Sequence, residues 1–234
     1  METMAKLRGY PHLVRRLARA PSVIAIKSGA ARAYIHWSTA LKQTQKVIKI
    51  MKFHSSITQA AFQSPIGPMT LAATRNGLAG VWFDGQRHLP KQLATPSSWP
   101  VDASNSILKQ AALQLAEYFA GKRREFELQL DLSGGTAFQQ TVWQALLTIK
   151  PGQTISYGSI SRAIGNPAAV RAVGSAVGRN PISIIVPCHR VMGADGSLTG
   201  YAGGLGRKTE LLKLEGASGR PESVLKSALE LNLL

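Results

Sequence analysis

The sequence predicts a small α/β domain followed by a mainly α domain that contains a helix-turn-helix. Three observations predict it. Two short apolar runs flank Arg75-Asn76-Gly77, the signal of a β-hairpin. An apolar period of helical spacing follows over 107–118, and three closely spaced helical segments come after the break at Ser133-Gly134-Gly135. With 44% hydrophobic and 17% charged residues in 234, the chain can bury a sizeable core and is not disordered as a whole.

In the first part, Met69–Thr74 and Leu78–Phe83 are the hairpin strands. Residues 86–103, rich in Pro, Ser and Gln, read as a loop. Ile107, Ala111, Leu115 and Tyr118 share one helical face, and Gly121 ends that helix. Phe126, Leu128, Leu130 and Leu132 alternate with Glu127, Gln129 and Asp131, the pattern of a half-buried strand. Nothing in this part looks catalytic.

In the second part, Thr136 and Gln139 form a capping box, and Phe138, Val142, Leu146 and Ile149 line the helix that follows. Pro151-Gly152 breaks that helix. Ser156 caps the next, which ends at Gly165. Asn166-Pro167 supplies a cap and a first-turn proline for a third helix. Two short helices joined by a glycine-containing turn resemble a helix-turn-helix. On the third helix Val170, Val173 and Val177 form a core stripe, while Arg171, Gly174, Ser175 and Gly178 share a face almost bare of side chains. Glycine inside a helix costs about 1 kcal/mol relative to alanine, so a close approach should offset it. Either a neighbouring helix or a DNA backbone can supply that approach.

Charge favours the second reading. The chain has 28 Lys+Arg and 12 Asp+Glu, a net charge of +16, which draws it to polyanions. Residues 1–50 hold ten Lys/Arg and one acid, Glu2. They read as a basic extension, disordered or not native with Met51 as the natural start; a DNA-contacting arm or an Arg-rich transit peptide are the alternatives. No run of 18 apolar residues exists, so no spanning helix and no membrane partner are expected. The single cysteine, Cys188, excludes an intramolecular disulfide and any multi-cysteine metal site, and it suits a reducing, cytoplasmic compartment.

Cys188 lies in Ile184-Ile-Val-Pro-Cys-His-Arg190, where an apolar, strand-like run meets a proline. A thiol of ordinary pKa, about 8.5, is only a few per cent thiolate at neutral pH, so a nucleophilic role needs a base and a group to hold that base. His189 and Glu215 are the candidates. A buried cysteine is also common as inert filling, and Cys-His adjacency alone does not decide between the two.

Pro187-Cys188-His189-Arg190-Val191 resembles the active-site signature of the O6-alkylguanine–DNA alkyltransferases, the methylated-DNA–protein-cysteine methyltransferases. Phe138-Gln-Gln-Thr-Val-Trp143, Ile155-Ser-Tyr-Gly158, Arg171-Ala-Val-Gly174, Asn180-Pro-Ile182, Leu198-Thr-Gly-Tyr-Ala-Gly-Gly204 and Arg207-Lys208 to Glu215-Gly216 fall in the same order and spacing. The likeness is strong over 134–217, looser over 53–132 and absent over 1–50. It is greatest to the bacterial stand-alone enzymes.

The resemblance implies a fold and a division of the chain. A ribonuclease H-like α/β domain at 51–132, a small antiparallel sheet plus a helix, precedes a winged-helix-like alkyltransferase domain at 133–218 and a tail at 219–234. It implies a single-turnover transfer of an alkyl group from O6-alkylguanine, and from O4-alkylthymine, in double-stranded DNA to the protein. It also implies a monomer that needs no cofactor. Carried over by position, the resemblance implies that Cys188 is the acceptor, His189 the base acting through a water, Glu215 its orienter, and Asn180 a brace for the turn at Cys188. Arg171 enters the duplex where the damaged base leaves, and Gly174 and Ser175 lie on the helix face that meets the groove. Tyr157 pushes the adjacent phosphate and donates to the guanine. Tyr201 walls the pocket, the Ala202 backbone donates to O6, and the carbonyls of Cys188 and Val191 accept from the guanine amine. Some relatives carry serine where this chain has Ala202. Others bind zinc through N-terminal cysteines that this chain lacks, so no metal is expected. Two rivals are a cysteine-free alkyltransferase-like binding module, against which Cys188 argues, and a winged-helix regulator, which leaves Cys-His-Glu unexplained.

Overall fold

The computed structural model describes residues 56–94 and 99–217. The basic extension at 1–50 and the tail at 219–234 lie outside the described residues. Strands β1 (Thr58–Ser64), β2 (Gly67–Thr74) and β3 (Gly77–Phe83) form an antiparallel sheet in that order. Thr74 pairs with Gly77, so Arg75-Asn76 is the two-residue hairpin loop. Gly77 has φ 144, and a Cβ there would meet the Gln129 carbonyl oxygen at 2.5 Å, so only glycine closes this turn. Helix α1 (Ser106–Phe119) packs on the sheet through Leu108, Ala111, Leu115 and Tyr118 and is capped by the Asn105 side chain. The other sheet face carries a smaller cluster built on Trp82 and Trp99.

The segment 126–132, expected as a half-buried strand, is not one. Phe126, Leu128 and Leu130 are half-buried and Glu125, Glu127 and Gln129 exposed, as alternation requires, although Asp131 is buried. Yet the backbone pairs with β3 only at a Leu78–Leu130 bridge. Helix α1 satisfies part of the remainder, because the Gln114 side chain both donates to the Glu127 carbonyl (3.0 Å) and accepts from its N–H (2.8 Å). At the break Ser133-Gly134-Gly135 the backbone lies against a side chain. A Cβ at Gly135 would fall 2.3 Å from the Trp143 ring, so the chain is packed where it passes between the two parts.

Helix α2 (Ala137–Leu147) begins with the Thr136/Gln139 capping box and buries Val142, Trp143 and Leu146. Helix α3 (Tyr157–Ala163) is capped by Ser156, and Gly165 turns the chain at φ 72. Pro167–Ala169 forms a 3-10 turn leading into α4 (Val170–Val177). Two expectations fail here. The Asn166 side chain makes no cap, and Val170 is exposed while Val173 and Val177 are buried. The tighter 3-10 turn rotates Val170 off the stripe. The short pair β4 (Ile155–Ser156) and β5 (Val191–Met192) is parallel, and α5 (Leu205–Leu214) closes the fold. One apolar cluster runs from Leu71 and Val81 in the sheet through Leu115, Trp143 and Val173 to Cys188. The Trp143 indole N–H donates to the Ala176 carbonyl at 2.9 Å, which fastens α4 to α2. Among the described residues no helix is long and apolar enough to cross a membrane.

Candidate active site

Cys188 is presented by two tight turns rather than by a strand. The Ile185 N–H donates to the Ser183 carbonyl (2.9 Å) around Ile184, whose φ is 72. That is a γ-turn on a β-branched residue in the left-handed region, a strained arrangement. The Cys188 N–H donates to the Val186 carbonyl (2.8 Å) around Pro187 (φ −82, ψ 60), an inverse γ-turn. Both turns are tied to β3, because the Val81 N–H of that strand donates to the Pro181 carbonyl and its carbonyl accepts from the Ser183 N–H, both at 2.9 Å. Asn180 holds the loop from within. Its amide donates to the Val186 carbonyl (2.7 Å), the Ile182 carbonyl (3.3 Å) and the Cys188 sulfur (3.0 Å), and its oxygen accepts from the Ile182 N–H (3.0 Å). One side chain therefore shapes the turn and donates to the nucleophile.

Behind the cysteine lies a buried polar cluster. His189 is fully buried, and its Nε2 lies 3.0 Å from Glu215 Oε1. Glu215 also accepts from Arg190 at both oxygens (2.8 and 2.7 Å) and from the Tyr118 hydroxyl (2.9 Å). Burial alone would raise the Glu215 carboxyl, but His189 and Arg190 hold it well below the usual carboxylate range. A permanent carboxylate facing Nε2 puts the imidazole proton on Nε2 and leaves Nδ1 as the acceptor. Nδ1 is buried and has no protein partner. Burial lowers the His189 pKa, so the ring is neutral and able to accept a proton. Burial also pushes the Cys188 thiol up to about 11, against the Asn180 amide and the charge of Lys208, both of which favour thiolate. Lys208 is itself buried and donates to the carbonyls of Val191 (2.5 Å) and Thr199 (2.8 Å). Burial lowers its pKa to about 8.

A cavity of about 180 Å³ opens onto Cys188. Tyr157, Gly174, Ser175, Tyr201 and Ala202 line it with the cysteine. The Tyr157 hydroxyl reaches the Gly200 carbonyl at 3.4 Å across the mouth. Gly178 faces no neighbouring helix, and Gly174 faces α3 only at its first residue, Tyr157. The nearest atoms to a Cβ at Gly174 are those of the Tyr157 ring, at 3.8 Å, and Arg171 and Ser175 are exposed. The bare face of α4 is therefore an open wall beside the cavity. Two expected residues stand apart from it. Val191 is buried, outside the lining, with its carbonyl on Lys208, and Arg171 lies further along α4. Nothing in the N-terminal part reads as catalytic, yet it contributes to the site. It supplies Tyr118 to Glu215 and Arg87 to the cavity. Tyr118 read as a core position, and its hydroxyl was the one signal of a polar partner. Arg190 and Lys208 stood inside the quoted motifs without a role.

Two family descriptions match the chain: "6-O-methylguanine DNA methyltransferase, ribonuclease-like domain" over residues 57–132, and "6-O-methylguanine DNA methyltransferase, DNA binding domain" over 137–217. A methylated-DNA–protein-cysteine methyltransferase of Methanosarcina acetivorans is 50% identical over 158 residues, 68% of this chain and 97% of the relative. One from Mycobacterium leprae is 50% identical over 155 residues, 66% of this chain and 90% of the relative. The crystal structure of Mycobacterium tuberculosis OGT in complex with DNA superposes with a TM-score of 0.60 at 47% identity, covering 72% of this chain and 97% of that one. A second structure, of the Mycobacterium tuberculosis O6-methylguanine methyltransferase, gives 0.61 at 47% identity, covering 75% and 99%. With a ribonuclease-like domain followed by a helical DNA-binding domain, the chain belongs to the 6-O-methylguanine DNA methyltransferase family.

Proposed function

We propose that this protein repairs DNA by moving an alkyl group from O6-alkylguanine, and from O4-alkylthymine, onto Cys188, once per molecule. The observation that carries the reading is a single thiol at the floor of a cavity, with a hydrogen-bonded Asn180 beside it and a buried His189–Glu215 pair behind it. The thiol proton passes through a water to His189 Nδ1. The imidazolium so formed lies against the Glu215 carboxylate, whose charge is otherwise matched by Arg190. A thiolate and an imidazolium thus appear together, and the buried cluster gains no uncompensated charge. The sulfur attacks the alkyl carbon in line, and the carbon–oxygen bond breaks toward guanine. The Tyr157 hydroxyl and the Ala202 N–H donate to the departing base as negative charge builds on it. The carbonyls of Cys188 and Val191 accept from its amine, the latter with the lone pair that Lys208 leaves.

The target atom sits inside the base stack, so the nucleotide must be extruded at a cost of a few kcal/mol. Helices α3 and α4 act as a helix-turn-helix in a winged-helix-like domain, with α4 in the minor groove. Its open face at Gly174 and Ser175 admits the backbone, and Arg171 fills the gap left in the stack. Minor-groove entry suits an enzyme that acts in any sequence, since the code there is degenerate. The domains divide at 51–132 and 133–218. The protein acts as a monomer on duplex DNA in the cytoplasm, where a lone acceptor thiol stays reduced. No cofactor takes part, because the damaged DNA is the alkyl donor. The test is Cys188→Ala. It should lose all transfer of labelled methyl groups and keep duplex affinity, which phosphate contacts dominate. Labelling of the variant at wild-type yield would overturn the assignment.

A further inference from the structure

Three cationic or titratable side chains stand at the cavity mouth that the transfer chemistry does not use: Arg87, His88 and Arg179. Arg87 and His88 follow β3 in the ribonuclease-like domain, whereas Arg179 follows α4 in the DNA-binding domain. No aspartate or glutamate lines the cavity, and among the described residues neither arginine forms an ion pair. All three are exposed, so they face solvent rather than a buried counter-charge.

Their positions are built rather than incidental. The Arg87 N–H donates to the Ala202 carbonyl (3.0 Å), and its guanidinium donates to the Tyr201 carbonyl (3.2 Å). That side-chain contact occupies one of the five guanidinium donors and aims the group across the loop that walls the cavity. Gln86, buried beneath, accepts from the Phe83 N–H (2.9 Å) and from the Ser183 hydroxyl (3.4 Å), which fixes this turn to the loop that presents Cys188. His88 has φ 63, a left-handed conformation uncommon outside glycine, which persists only where the surroundings impose it. Arg179 is held against α4 by the Ser175 carbonyl and hydroxyl. Burial lowers the His88 pKa, and the charges of Arg179 and Arg87 lower it further, as expected of groups sharing one positive field.

We propose that Arg87, His88 and Arg179 together bind a backbone phosphate next to the extruded nucleotide, so that both domains grip the strand at the cavity mouth. An arginine presents its donors as a planar fork that matches two phosphate oxygens, and a pair straddling the mouth can close on a phosphodiester from both sides. The neutral imidazole of His88 adds an N–H donor. This assignment rests on the reading that the cavity receives a flipped base, and it extends the DNA contact to the ribonuclease-like domain.

Rates of transfer test it on three substrates: a methylated duplex, the same duplex with neutral methylphosphonates flanking the lesion, and free O6-alkylguanine base, which carries no phosphate. Arg179→Ala and His88→Ala should each lower the duplex rate about five- to tenfold and the free-base rate less than twofold. Arg179→Ala should also reduce the slope of log affinity against log salt by about one. On the methylphosphonate duplex the wild type should fall at least to the level of the variants, and each variant should lose less than the wild type does. Melting temperatures of these exposed-site variants report their folding. Equal losses on duplex and free base would overturn the proposal and make the cluster a support for the cavity wall. Independent, multiplying losses from variant and methylphosphonate would also overturn it. A wild type that transfers nothing from any substrate would instead remove the functional reading, and this proposal with it.

Discussion

Glu215→Gln separates what this carboxylate does for the fold from what it does for the reaction. Its side chain is 2% exposed and that of Arg190 6%, and the two meet at 2.7 Å. Removing the charge leaves a buried guanidinium without its partner, which costs about 3–5 kcal/mol. The amide also turns an N–H₂ toward donors from Arg190, Tyr118 and His189. For a domain of this size, about 2–4 °C of melting temperature per kcal/mol gives a fall of roughly 6–20 °C by circular dichroism. Combining it with Arg190→Met should recover part of that loss. The pH dependence has a definite sign. The folded carboxyl sits below its ordinary pKa, so its contribution is complete above about pH 4.3 and is lost as pH falls through the folded value. The gap between wild type and variant should therefore be flat from about pH 5 to 8 and narrow only in acid. At a temperature where the variant is folded, transfer should still slow by about 10²-fold, the usual weight of a general base. A loss below about 1 kcal/mol, typical of a surface pair, would refute the buried cluster as the anchor of His189.

Other outcomes follow from the same geometry. Arg171→Ala should slow repair of duplex DNA far more than reaction with free alkylguanine, since free base needs no extrusion; equal losses would place Arg171 in the pocket. Gly174→Ala should raise the melting temperature, because a helical alanine is favoured by up to about 1 kcal/mol and its methyl meets only the Tyr157 ring at 3.8 Å. The same variant should bind duplex DNA more weakly, and unchanged affinity would mean that α4 does not lie against the groove. The alkylated protein should melt below the free form, because a methyl on a sulfur already 3.0 Å from the Asn180 amide overpacks the loop at about 1–3 kcal/mol.

What was legible in the sequence was mostly local. The Arg75-Asn76-Gly77 hairpin, the Thr136 capping box and the Ser156 cap each depend on residues within four positions, and each formed. The Cys188-His189 pair and Glu215 were legible through chemistry and resemblance, and the structure brings His189 and Glu215 together across 26 positions. What was missed depends on distant partners. Alternation over 126–132 looked like a strand, but a strand needs a neighbour with free backbone groups, and β3 offers only one rung. The run Ile184-Ile185-Val186 has strand composition, yet the Asn180 amide binds the carbonyls of Ile182 before it and Val186 at its end, and the chain between them folds into turns. Tyr118 serves Glu215 from 97 positions away, a contact that no periodicity encodes. Val170 fits an ideal helical stripe, and a 3-10 turn at Pro167–Ala169 displaces it.

The central claim is that Cys188 accepts one alkyl group and keeps it. A thioether there has no proton to lose and no readily hydrolysed bond, so neither His189 nor water can restore the thiolate. Wild-type protein mixed with a tenfold excess of duplex carrying labelled O6-methylguanine, then digested and weighed by mass spectrometry, tests this directly. The account predicts a plateau at one methyl group per chain, all of it on the peptide that contains Cys188. Continued transfer through several equivalents, or a methyl group carried by any other residue, would contradict it.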